Sequence, residues 1–125
     1  MLERRRFYRL RYPDDARPED GLLLNGQWRA LVELSECGVR VIADDSSPEV
    51  GTELDIEIKL PTGEEFTIEG ARIVRLEGSE IVVVFDHGVP SETVFKEQRS
   101  LIRRARDLGD AKALAALRPP YMTAV

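Results

Sequence analysis

Near its start the chain gathers four guanidinium groups around two aromatic rings, in Arg4-Arg5-Arg6-Phe7-Tyr8-Arg9. A guanidinium is a planar fork of donors that fits two phosphate oxygens or the Hoogsteen edge of guanine. A second segment, Glu33-Leu34-Ser35-Glu36-Cys37-Gly38, sets a carboxylate and a hydroxyl two residues apart, ahead of a glycine. A carboxylate accepts hydrogen bonds from the N–H groups of guanine, a hydroxyl adds a further contact, and a glycine lets backbone approach a ligand closely. Together the two segments have the chemistry of a site for an anionic guanine nucleotide. Each also has an ordinary alternative. A terminal arginine run often serves only solubility, and a serine ahead of a Gly-containing turn often serves only the turn.

These residues need a scaffold, and hydrophobic alternation supplies one. Leu22-Leu23-Leu24 reads as a short strand, and Asn25-Gly26 as a hairpin turn. In the next strand Trp28, Ala30, Val32 and Leu34 share one face, and Gln27, Arg29, Leu31, Glu33 and Ser35 share the other. Glu33 and Ser35 are thus expected to point together, away from the face that carries Trp28 and Val32. Val39, Val41 and Ala43 continue a strand after Gly38. Leu54, Ile56, Ile58 and Leu60 alternate with Glu53, Asp55, Glu57 and Lys59 in the clearest strand. Phe66 to Leu76 follows, with Gly70 shifting the alternation as a bulge would. Ile81 to Phe85 is almost wholly apolar and reads as a buried strand.

Six antiparallel strands joined by short turns predict a mainly β domain, a small barrel or sandwich. After Pro90 the period changes. Val94, Phe95, Gln98, Leu101, Ile102, Ala105 and Leu108 form a helical stripe, with Ser91 as expected N-cap and Gly109 as terminator. The expected organisation is one domain over 1–109, made of an arm (1–20), a barrel (21–88) and a helix (91–109). A short helical tail (110–125) follows and stops at Pro119-Pro120.

Composition narrows the functions. With 125 residues, 42% of them hydrophobic, the chain has enough apolar material for one folded core. A net charge of −5 and an aromatic content of 6% count against binding to single-stranded nucleic acid, which needs a basic groove and stacking rings. A single cysteine excludes an internal disulfide, and a lone histidine, His87, cannot make a multi-histidine metal site. No phosphate loop, nucleophile elbow or zinc-protease motif is present, so no catalytic residue and no metal ligand is assigned. Cys37 reads as a packing or turn residue and His87 as a turn residue. Glu53, Asp55 and Glu57 read as a solvated strand face or a partner surface, and Arg99, Arg103, Arg104 and Arg106 as the solvated face of the helix. Arginines and acids, not an apolar run, follow Met1-Leu2, so a cytoplasmic location without membrane insertion is expected.

The two segments, in this order and on this strand pattern, resemble the PilZ domain family. That family pairs an N-terminal RxxxR with a later (D/N)xSxxG on a six-stranded antiparallel barrel followed by a helix. Arg5 to Arg9 is similar to the first motif, and Ser35 to Gly38 to the end of the second. The resemblance covers about residues 3–108. It implies a receptor for the bacterial second messenger cyclic di-GMP, with no cofactor beyond that ligand. Arg5 and Arg9 would contact phosphates and guanine edges, and Ser35 and Gly38 would line the wall. Arg4, Arg6 and Arg40 would assist. It also implies a protein partner, not identified by the residues, in motility, pili, biofilm or exopolysaccharide control. The departure is Glu33, where the family has Asp or Asn. The extra methylene displaces a hydrogen bond worth about 1–3 kcal/mol. A PilZ-like interaction module that binds no nucleotide is therefore an alternative, ahead of a single-stranded nucleic-acid-binding barrel.

Overall fold

Strand alternation builds a single antiparallel sheet that curls into a half-barrel. The structure, a computed structural model, describes residues 8–86 and 88–117. The strands are β1 (Leu10–Arg11), β2 (Leu22–Leu24), β3 (Gln27–Arg29), β4 (Leu31–Leu34), β5 (Gly38–Ile42), β6 (Glu53–Lys59), β7 (Glu65–Glu77) and β8 (Glu80–Val84). Their spatial order is β1-β4-β5-β8-β7-β6-β2-β3. Two helices follow, α1 (Ser91–Asp107) and α2 (Ala111–Leu117). The mainly β class and the following helix agree with expectation.

Eight strands replace the expected six for two physical reasons. First, the second half of the expected arm belongs to the body. Leu10 pairs with Leu34 and is fully buried, and the Tyr12 N–H donates to the Val32 carbonyl at 2.9 Å. Second, the expected strand 27–35 breaks at Ala30. Its first part pairs with β2 and its second with β5 and β1, so this run joins the two ends of the sheet. A register shift between Leu31 and Glu33 places an extra residue in β4, and Leu31, Val32 and Leu34 are all buried.

The shift corrects the expected parity of the first part. Trp28 is 42% exposed, with Lys59 Nζ 5.8 Å from its ring centroid, while Arg29 is buried. The Arg29 guanidinium meets Asp44 Oδ1 at 3.1 Å and Ser47 Oγ at 3.2 Å, which ties down the loop after β5. Downstream the alternation holds. Val39, Val41, Ile56, Ile58 and Leu60 face the core, and the bulge in β7 forms where Gly70 takes a φ of 71°. The Gly70 N–H donates to Asp55 Oδ1 at 3.1 Å across that bulge.

Helix α1 closes onto the same core through Val94 and Ala105. Its N-cap is Pro90, without a side-chain cap, so Ser91 is the first helical residue and not the cap. Gly109 follows the helix with a φ of 68°, as expected of a terminator. Leu108, placed in the apolar stripe, is the C-cap just past the last helical residue and is 67% exposed. Glu97, outside that stripe, goes the other way and is buried. The Tyr12 hydroxyl donates to Glu97 Oε1 at 2.7 Å, and both side chains are buried. Gln98 Nε2 donates to the Leu117 carbonyl at 2.7 Å, fixing α2 against α1.

Burial, and then the neighbouring Glu97 carboxyl, push the Tyr12 phenol far above its ordinary range, so it remains a donor. A raised folded value stabilises the fold at pH below the unfolded phenol value, about 10, and that contribution is lost progressively above it. Wild type should therefore lose stability above about pH 10 in chemical denaturation. Tyr12→Phe should lack that alkaline component and be destabilised by about 1–3 kcal/mol at neutral pH, because Glu97 Oε1 loses its donor.

Candidate ligand-binding groove

The outer face of the sheet carries a groove of about 720 Å³ between the end of the N-terminal segment and β7. Its floor follows from strand β8. Ile81, Val83 and Phe85 point into the core, so Val82 and Val84 point outward, where both line the groove. The register orders the surrounding side chains in two rows. In the first, Gly38, Val84, Arg72 and Glu53 pair in turn across β5, β8, β7 and β6. In the second, Glu33, Arg40, Val82 and Arg75 pair across β4, β5, β8 and β7. A register shift between Ile73 and Arg75 lets Arg72, Val74 and Arg75 all line the groove.

Gly38 is required by close packing. A Cβ there would lie 2.9 Å from the Val83 carbonyl oxygen. Its bare backbone leaves the first row open over Val84, a flat apolar bed for a planar ring. Ser35 folds the preceding turn: its N–H and its hydroxyl both donate to the Gly38 carbonyl, at 2.9 and 3.1 Å. The hydroxyl oxygen retains acceptor capacity while lining the groove.

The second row is an ion-pair network. Arg40 Nε donates to Glu33 Oε2 at 2.9 Å and Arg40 Nη1 to Glu77 Oε1 at 2.7 Å. Arg75 Nε also donates to Glu77, and Arg11 Nη2 lies 2.9 Å from Glu80 Oε2. Hydrogen bonds from Arg40 and then Arg75 hold the Glu77 carboxyl below its usual value. That favours the charged network above the ordinary carboxylate range, and the network dissolves only as pH falls through the lowered Glu77 value.

The structure brings together Arg9, Ser35, Gly38 and Arg40 at the groove. Glu33 stands one row away, bound to Arg40, and is not a lining residue. Arg4, Arg5 and Arg6 lie outside the described residues, as does His87. Arg9 is held from both sides. Leu10 is anchored in the sheet, and the Tyr8 ring stacks on Phe95 of α1, with centroids 5.9 Å apart and planes 7° apart. The Tyr8 hydroxyl donates to the Leu117 carbonyl at 3.2 Å.

Cys37 also lines the groove, and burial, then Glu36 and Asp86, raise its thiol value, which disfavours the nucleophilic thiolate. Sequence reasoning missed Arg72, Arg75 and the outward valines. The valines carried a signal: a strand that faces both ways cannot be apolar throughout unless its outer face is also covered. The arginines carried none, because two bulges break the period of β7.

Gly38→Ala should force β5 away from β8, lowering stability by about 1–3 kcal/mol in denaturant titration. Ser35→Ala should cost about 1 kcal/mol through the lost turn hydrogen bond.

Among the described residues no helix is long and apolar enough to cross a membrane, and no cluster of potential metal ligands is found. Comparison with curated proteins finds no match. The sequence profile of the PilZ domain matches residues 3–104, a span that holds all eight strands and most of α1. With the groove that Arg9 and the Ser35–Gly38 turn line, that match shows that the chain belongs to the PilZ domain family, a family of cyclic di-GMP receptor and adaptor modules.

Proposed function

We propose that this chain is a non-catalytic receptor for cyclic di-GMP that regulates a protein partner through its N-terminal arm. The observation that carries this reading is the juxtaposition of Arg9 with Ser35, Gly38 and an apolar floor in one groove of about 720 Å³. That volume falls within the roughly 300–1,000 Å³ of small-molecule sites. Four arginines and three carboxylates line the groove, and two of the arginines, Arg9 and Arg72, carry no ion pair among the described residues. Those free forks suit a small anionic ligand, and a chain of net charge −5 does not suit a long polyanion.

In this reading a guanine lies on the Gly38–Val84 bed, where no side chain rises from Gly38. Arg9 and Arg5 fork onto phosphate and guanine edges. Ser35 offers its oxygen. Glu33 acts through Arg40, which it holds at the groove margin, and Arg4 and Arg6 add charge from the arm. Arg9 is covalently next to Tyr8, and Tyr8 packs on α1. Ligand binding thereby alters the surface formed by arm and helix, which the partner reads. Control of motility, pili, biofilm or exopolysaccharide is the class of process that fits such a module.

One observation favours a second reading. The Glu33 carboxylate, at the position of the motif's acidic or amide residue, is already engaged by Arg40. A module using this face only for protein contact would have the same pair.

Calorimetry separates the two. Cyclic di-GMP should bind the wild type below high micromolar concentration, and Arg9→Ala or Arg5→Ala should weaken it about tenfold or more. The absence of binding would leave the protein-contact reading. Ligand should also slow alkylation of Cys37, measured at alkaline pH where the thiol ionises. Glu33→Asp tests the margin: tighter binding marks the wild-type pair as a detuning.

A further inference from the structure

The register of β7 carries an arginine into the groove that neither motif contains. Arg72 pairs with Val84, which pairs with Gly38, so Arg72 ends the row that begins at the motif glycine. Adjacent strands lie about 4.8 Å apart, which places its Cα about 10 Å from that of Gly38. A planar group lying over Gly38 and Val84 would present its edge to the Arg72 fork.

The four groove arginines divide into two kinds. Arg40 and Arg75 are spent on Glu33, Glu77 and Glu80. Arg9 and Arg72 make no ion pair among the described residues. Glu53 stands directly across from Arg72 on β6, yet the two form no salt bridge. The unneutralised cations therefore flank the groove on opposite sides, Arg9 beside the turn and Arg72 on the far wall. A ligand with one anionic or acceptor-rich group at each end matches that arrangement, and a single phosphate does not.

We propose that Arg72 is a further ligand-binding residue, donating its fork to cyclic di-GMP from the β7 wall, opposite Arg9. This rests on the cyclic di-GMP reading given above. The contact adds affinity that the two motifs do not account for, and it holds the ligand across Val84 instead of at the turn alone. The ion-paired Arg75 acts as a fixed part of the wall, its charge already balanced by Glu77.

The test is calorimetric titration of the full chain with cyclic di-GMP, comparing wild type with R9A, R72A, R72K and R75A. Arg72 is exposed on the outer face, so circular dichroism and thermal melts should be unchanged in its variants. R72A is expected to bind about tenfold or more weakly, with a shallower salt dependence, because one charge-assisted fork is lost. R72K, which retains the charge but not the planar fork, should recover only part of the loss. R75A should change affinity less than R72A. Wild-type affinity in R72A, with R9A weakened, overturns the role of Arg72 and leaves the receptor reading standing. Equal weakening in R72A and R75A reduces the effect to general charge and also overturns it. Full recovery in R72K overturns the forked contact. Silence of the wild type itself defeats the receptor reading and this inference with it.

Discussion

The run from Gln27 to Leu34 is the constraint on which the rest of the structure depends. It pairs with β2 at one end of the sheet and with β1 and β5 at the other, so one covalent segment ties both ends together. A continuous, evenly alternating strand cannot do this. The corner at Ala30 and the register shift before Glu33 let the chain turn, and their consequence is local: Leu31 and Val32 both enter the core. Everything after the corner inherits its position. Leu34 fixes Leu10, hence Arg9, and the turn after Leu34 delivers Ser35 and Gly38 to the outer face.

A second constraint works from the far side. The Val83 carbonyl approaches Gly38 too closely for any side chain, so β5 and β8 form a smooth floor where the groove needs one. Bulges in β7 then turn successive residues outward, and this raises an arginine wall beside the apolar floor. Floor and wall are products of register. The motif residues contribute one side of the groove and the barrel contributes the other.

The contacts at the start of the described chain link the groove to the helices. Tyr8 packs on Phe95, Tyr12 is bonded to Glu97, and the Leu117 carbonyl accepts from both Tyr8 and Gln98. A segment that reads in sequence as a charged arm is thus, from Tyr8 onward, built into the core and the helical layer. Its charge is conspicuous in sequence. The aromatic residues that anchor it are scattered and have no period, so their partners on α1 could not be read.

Local patterning alone determined the β class, the hairpin at Asn25-Gly26, the inward faces of β5 and β6, the bulge at Gly70 and the helix after Pro90. These depend on neighbours within a few residues, where period and turn chemistry act directly. The two motifs and their family resemblance were legible for the same reason, being short runs of chemically distinct residues. Tertiary structure decided what depends on strands meeting at a distance: the split at Ala30, the burial of Arg29 and Glu97, the capture of Glu33 by Arg40, and the arrival of Arg72 opposite Arg9. A bulge moves a side chain from one face of a sheet to the other without changing composition, and an ion pair joins residues that no spacing connects. Those events follow from register, which only the closed sheet defines.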